Sequence, residues 1–222
     1  MRPSARDPFH EPLVTWPNIV TVGRVIVGLI VFGTAASLRS LPWAFAGLFL
    51  HWGLDGLDGF LARSLHQETR LGAQIDIVAD RMMVISFYVL YLQTFPQFLA
   101  PVLVYLFAFA FLDQYLSSQY LIWGLLSPNY FFQVDRRIWR LNWSNPGKFA
   151  NGGVFSIILL GTGSYVASLA YAAALTGLKL YTFFSIQRLS LPGAWDTLRV
   201  HPPDRRGSAD LVSPALRAFL KI

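Results

Sequence analysis

Hydrophobic positions fall into six long runs, near residues 18–37, 41–63, 72–93, 98–122, 149–168 and 170–188, separated by polar or proline-containing breaks. Each run has about the 20 residues a helix needs to cross the hydrocarbon core of a bilayer. None alternates with a period of two, so strands are not expected. The pattern predicts an all-α fold, an integral membrane bundle of six transmembrane helices. One boundary has an alternative: GTGSY, residues 161–165, can itself be the turn, which shortens the fifth span and lengthens the sixth.

Composition agrees, with 54% hydrophobic and 14% charged residues among 222, against roughly 25% charged in an average soluble domain. The basic residues then orient the bundle. With the N-terminus in the cytoplasm, Arg2, Arg6, Arg63, Arg70, Arg136, Arg137, Arg140, Lys148 and Arg188 fall on the cytoplasmic side, and only Arg39 and Lys179 dissent. Six spans put both termini there. Residues 1–16 read as an N-terminal cytoplasmic or interfacial segment without a secretory signal, and residues 17–190 as the six-helix domain. Residues 191–222 read as a cytoplasmic tail, proline-rich and then closing on a short interfacial helix with Leu216, Phe219 and Leu220 at helical spacing. The net charge of +6 forms no basic stripe interleaved with exposed aromatics, so anionic lipid headgroups, not nucleic acid, are the expected counter-charge. Trp43, Trp123, Trp139 and Trp143, near span ends, read as interface aromatics.

Against this apolar background, residues 53–80 (GLDGLDGFLARSLHQETRLGAQIDIVAD) carry four aspartates. Asp55 and Asp58 are three apart, and Asp76 and Asp80 four apart, so each pair lies on one face of its helix. Two helices joined by a short loop run antiparallel and bring the pairs together at the cytoplasmic ends of the second and third spans. Unpaired buried charge costs several kcal/mol per ion, so four converging carboxylates call for a cation. The chain has no cysteine. Oxygen donors of this kind select Mg²⁺, Mn²⁺ or Ca²⁺, and four of them suffice for two ions. The bland alternative is a set of intramembrane ion pairs with Arg63, Arg70 and Arg81 as partners. Gly56, Gly59 and Gly72 remove side chains where a flat group approaches, Ala62 continues the small face, and Arg63 reaches a phosphate from it. Together these residues describe a nucleotide diphosphate site.

Asp55, Asp58, Gly59, Ala62, Arg63, Gly72, Asp76 and Asp80 reproduce the motif D-x2-D-G-x2-A-R-x8-G-x3-D-x3-D, and PNIVTVGR (residues 17–24) is similar to a P-N-x-x-T-x-x-R run. In both respects the chain resembles the CDP-alcohol phosphatidyltransferase family, over residues 17–190. The resemblance implies an enzyme of phospholipid biosynthesis that transfers the phosphatidyl group of CDP-diacylglycerol to the hydroxyl of a small polar alcohol and releases CMP. It implies two Mg²⁺ or Mn²⁺ ions on Asp55, Asp58, Asp76 and Asp80, and a pocket for cytidine and diphosphate at Asp58, Gly59, Ala62, Arg63 and Gly72. Asp80 becomes the base that takes the acceptor's proton. It also implies a homodimer. Asn18 and Thr21 read either as a helix start or as nucleotide contacts. Arg24 reads either as a residue snorkelling to the cytoplasmic surface or as a contact to substrate phosphate. His51, one turn before Asp55, reads as an interfacial histidine with a supporting role as the alternative.

For the acceptor, the candidates are Asp113, Lys148, Lys179 and Arg188. Asp113 and Lys179 equally suit a structural ion pair, and Arg188 a positive-inside anchor. The fourth span reads YLSSQYL where relatives using inositol phosphate carry basic residues, which argues against that acceptor. Glycerol 3-phosphate or an inositol-type polyol is favoured. Two other classes compete: a cation transporter or channel, and a non-catalytic CDP-lipid-binding protein. A channel needs polar residues through the outer half of the bundle, and LPWAFAGLFL and ISFYVLYL there are nearly all apolar.

Overall fold

In the computed structural model, residues 11, 12 and 14–190 are described, and their regular elements are all helical. The expected tail helix, the first ten residues and the Asp58 side chain lie outside what is described. Helix α1 (Trp16–Leu38) begins where the Thr15 hydroxyl accepts the Asn18 N–H at 3.3 Å, with Pro17 in the first turn, where a missing N–H costs nothing. It stops at Arg39, whose φ of 47° enters the left-handed region. Helix α2 (Leu41–Ser64) leads through a short turn to α3 (Arg70–Thr94), capped by the Thr69 hydroxyl on the Gly72 N–H at 2.9 Å. After Pro96 the chain is helical again through α4 (Leu99–Leu106), a π turn (Phe107–Leu112) and α5 (Asp113–Ser118). The wider π turn re-aims the helix face just before Asp113.

A connection follows that contains a 3₁₀ turn (Pro128–Gln133) and α6 (Arg136–Asn142), capped by Asp135. Helix α7 (Asn145–Ile157) is capped by Ser144 and continues as a π turn (Ile158–Thr162). Helix α8 (Tyr165–Gln187) is capped by Ser164. The first four predicted runs coincide with helices. The last two are corrected: the break lies at Gly163, φ 60°, and Ser164, inside GTGSY, not near residue 169. Glycine takes the left-handed conformation without steric cost, and the serine beside it supplies the next cap.

Helix α1 packs on α2 and α3, and α4 on α8. A Cβ at Gly47 of α2 would stand 2.6 Å from the Phe32 ring of α1, so the missing side chain sets how closely those helices approach. Large apolar side chains also face outward, among them Ile30, Phe111 and Val166. With apolar residues outside as well as inside, close packing and dispersion hold the helices together more than exclusion of water does. Among the described residues, three helical runs are long and apolar enough to cross a membrane: Trp16–Leu38, Pro96–Leu121 and Tyr165–Gln187.

Two buried clusters frame the interior. One is aromatic, with Phe87, Tyr88, Tyr105 and Phe155; the Tyr105 and Phe155 rings stack with centroids 4.0 Å apart. The other holds Ile77, Leu116, Phe131, Ile138 and Ile186 together with Trp143, which is 5% exposed and so belongs to the core, not to the interface expected for it.

Candidate active site

Because Asp55 is on α2 and Asp76 and Asp80 are on α3, the antiparallel pairing of these helices brings their carboxylates to one point. One oxygen from each lies within 4.8 Å of the others. Charges at that separation repel by on the order of 3 kcal/mol per pair at an effective dielectric near 20, less where solvent screens them. A cation must therefore be close, and the chain supplies one from a third helix. The Arg24 guanidinium of α1 donates to Asp55 Oδ1 at 2.6 Å, to Asp76 Oδ1 at 2.8 Å and to Asp80 Oδ1 at 3.2 Å.

This corrects the expectation that Arg24 snorkels to the surface. The residue is 1% exposed, so it does not snorkel, and it lines neither cavity of the site. Of the partners named in the ion-pair alternative, Arg81 reaches the edge of the cluster, while Arg63 and Arg70 are engaged elsewhere. Arg70 donates to the Gly124 carbonyl at 2.8 Å, Arg63 folds over Gly59, and Arg81 is hydrogen-bonded to Asp113, with Asp80 Oδ2 4.0 Å away. A signal for Arg24 was present. Asn18, Thr21 and Arg24 recur at three-residue steps and are all buried, a polar stripe on the inward face of an otherwise apolar helix.

Two cavities meet at Asp76. The smaller, about 90 Å³, is bounded by Asn18, Thr21, Gly59, Ala62, Arg63 and Gly72, the described residues among those assigned to a nucleotide diphosphate. A Cβ at Gly72 would stand 2.7 Å from Asn18 Oδ1, which is why no larger residue fits where α3 begins beside α1. The larger cavity, about 550 Å³, has Asp55, Asp76 and Asp80 on one wall and Asp113, Lys148 and Asn151 elsewhere on its lining. His51 is buried, with Nε2 4.0 Å from Asp80 Oδ1.

The connection before α6 was not expected to contribute. Its Ser127 and Asn129 line both cavities. The segment is pinned to the α2–α3 turn by the Arg70 contact and by the Tyr130 hydroxyl, which donates to Glu68 at 2.7 Å. That hydrogen bond to a carboxylate, with burial, pushes the tyrosine pKa up to about 12.

Beyond Arg81, Asp113 accepts from Lys179 Nζ at 2.6 Å, and Lys179 also donates to Asn142 Oδ1 at 2.8 Å. Lys179 is fully buried and stands behind the cavity wall. Arg188, at the end of α8, is exposed and borders neither cavity. Of the acceptor candidates, the structure therefore brings Asp113 and Lys148 to the large cavity, Lys179 to its support, and Arg188 to neither.

The donor set fits a hard divalent cation: among the described residues three carboxylates converge, and the chain has no cysteine.

A model of the CDP-alcohol phosphatidyltransferase family matches residues 14–178. The chain is 37% identical over 90 residues to a cardiolipin synthase (CMP-forming) of Oryza sativa subsp. japonica, covering 39% of this chain and 27% of the relative. It is 40% identical over 76 residues to a CDP-diacylglycerol–glycerol-3-phosphate 3-phosphatidyltransferase of Haemophilus influenzae (33% of this chain, 41% of the relative). It is 35% identical over 66 residues to a CDP-diacylglycerol–inositol 3-phosphatidyltransferase of Rattus norvegicus (29% and 30%). The chain thus spans well under half the length of these relatives. No solved structure matches.

Proposed function

Because the chain belongs to the CDP-alcohol phosphatidyltransferase family, we propose that it transfers the phosphatidyl group of CDP-diacylglycerol to a small polar alcohol, with release of CMP. The observation that carries this reading is the convergence of Asp55, Asp76 and Asp80 beside a pocket holding Gly59, Ala62, Arg63 and Gly72. Asp55, Asp58, Asp76 and Asp80 would hold two Mg²⁺ or Mn²⁺ ions. Bound there, the ions neutralise the phosphoryl oxygens and stabilise the departing CMP. Arg63 pairs with the diphosphate, while Asn18 and Thr21 close the cytidine side of the pocket.

Asp80 acts as general base. It lines the large cavity one turn beyond Asp76, where an acceptor hydroxyl meets it, and it takes the proton as the hydroxyl oxygen attacks the lipid-side phosphorus. The new P–O bond replaces the bond to CMP, and no covalent enzyme intermediate is required. Lys148 and the asparagines of the large cavity contact the acceptor, a glycerol 3-phosphate or inositol-type polyol, while Asp113, engaged by Arg81 and Lys179, holds the wall between them. Arg188, exposed and bordering neither cavity, is left out of that role.

By the same proposal the protein crosses the membrane six times, with both termini and the site at the cytoplasmic face, and works as a dimer. A channel reading finds no support in the packed aromatics Tyr88, Tyr105 and Phe155, which are at most 1% exposed. The test is CMP release by purified protein with Mg²⁺ or Mn²⁺, offered glycerol 3-phosphate, inositol, inositol phosphate and serine in turn. Release should require one of the first two. CDP-lipid binding without CMP release under any acceptor would instead make the protein a binding module.

A further inference from the structure

Arg24 meets the carboxylate cluster from its buried side, away from both cavities. Its side chain is fully buried, whereas those of Asp55, Asp76 and Asp80 are 43%, 40% and 26% exposed. All three aspartates line the large cavity and Arg24 does not. The contacts also divide by oxygen: Arg24 engages Oδ1 of each carboxylate. One nitrogen serves Asp55 on α2, and the other is shared by Asp76 and Asp80 on α3, so the planar guanidinium ties two helices through a third. The side chain that does this cannot lose its charge by burial, because a guanidinium keeps its proton in proteins.

We propose that Arg24 is a permanent positioning cation. Its guanidinium gathers Asp55, Asp76 and Asp80 from the buried side, turns their remaining oxygens toward the cavity, and stays in place when a divalent ion binds there. The inference rests on the metal-dependent reading of the site given above, but it concerns a residue that touches neither ion nor substrate. It makes a prediction opposite in sign to simple charge counting. Removing a positive charge beside three carboxylates should strengthen cation binding if Arg24 merely competes for the same oxygens. If Arg24 orders the ligands, its loss should weaken binding, as loss of an outer partner of metal ligands typically does, by 10–100-fold.

The experiment compares the full-length wild-type protein in detergent with Arg24→Met and Arg24→Lys. It reads Mn²⁺ affinity from the free-ion signal in electron paramagnetic resonance, and thermal unfolding with and without Mn²⁺. The expected result is a roughly 10–100-fold loss of Mn²⁺ affinity in Arg24→Met, with partial recovery in Arg24→Lys, whose single ammonium cannot bridge both helices in the same way. Affinity equal to or tighter than wild type in the folded variants overturns the proposal, even if both melt at lower temperature, since a purely structural arginine would shift the melting point alone. Should Arg24→Met not fold, Arg24→Lys decides by itself: unchanged affinity overturns the proposal, and a loss supports it. A wild-type protein that binds no Mn²⁺ sinks the metal reading and this inference with it, whereas wild-type binding with an unweakened variant sinks only the inference.

Discussion

Two charged clusters share the wall of the large cavity, and they are built in opposite ways. Around Arg24, three carboxylates surround one cation and remain 26–43% exposed toward the cavity. Around Asp113, two cations surround one carboxylate, and Arg81, Lys179 and Asp113 are 11%, 0% and 9% exposed. The first carries surplus negative charge and lines the cavity. The second has its donors consumed internally: Lys179 is spent on Asp113 and Asn142, and Ser117 Oγ, 3.4 Å from Asp113 Oδ2, accepts from Trp143 Nε1 at 3.2 Å. An acid-rich, open cluster is arranged to receive a cation. A closed, buried cluster whose charges contact one another is arranged to hold helices, here α3, α5 and α8, in one mutual position.

Substitutions separate the two. The largest effect is expected at the open cluster: Asp80→Asn should lower the rate of CMP release by about 10²–10⁴-fold while CDP-lipid binding and the melting temperature change little. Loss of binding with turnover preserved per bound substrate would contradict the role assigned to Asp80. Next comes Asp113→Ala, which strands two buried cations and should cost about 3–5 kcal/mol in unfolding experiments. If Asp113→Ala left stability intact and removed only activity, the closed cluster would be a ligand site and the contrast would collapse.

Lys179→Met leaves Asp113 its Arg81 partner, so a smaller loss of about 2 kcal/mol is expected. Combining it with Asp113→Ala in a double-mutant cycle should show a coupling of about 0.5–3 kcal/mol, and additivity would mean that the two do not act as one unit. Smallest is Tyr130→Phe, at about 1 kcal/mol, for the hydrogen bond to Glu68. Since the folded pKa of Tyr130 is raised to about 12 from 10.0, the stability it contributes is present below pH 10 and fades as pH rises through 12. A wild-type alkaline transition that Tyr130→Phe leaves unaltered would show that the contact carries no weight.

The helices were legible because their signals are local. Runs of apolar residues, and caps such as Thr15, Thr69 and Ser164, act within a few positions of themselves. The break between α7 and α8 was less so, because glycines at residues 161 and 163 and the polar residues around them allow more than one turn, and packing chose among them. At the site, the spacing of the aspartates put each pair on one helix face. Their meeting point followed from the short α2–α3 turn alone. The Ser127–Asn129 wall gave no warning, since it is held by contacts such as Arg70 to Gly124 and Tyr130 to Glu68, more than fifty residues apart in the chain.

By itself the sequence determined where most of the helices run, that acids of two neighbouring helices meet, and which family's motif they form. Only the tertiary structure decided which cation answers them. Spacing along a helix fixes direction around that helix's own axis, and the period of 3.6 residues is written into every segment. The rotation and depth of α1 relative to α2 and α3 are set by contacts such as Phe32 on Gly47 and Asn18 beside Gly72. It is that rotation that turned Arg24, and not the arginines nearer in sequence, onto Asp55, Asp76 and Asp80.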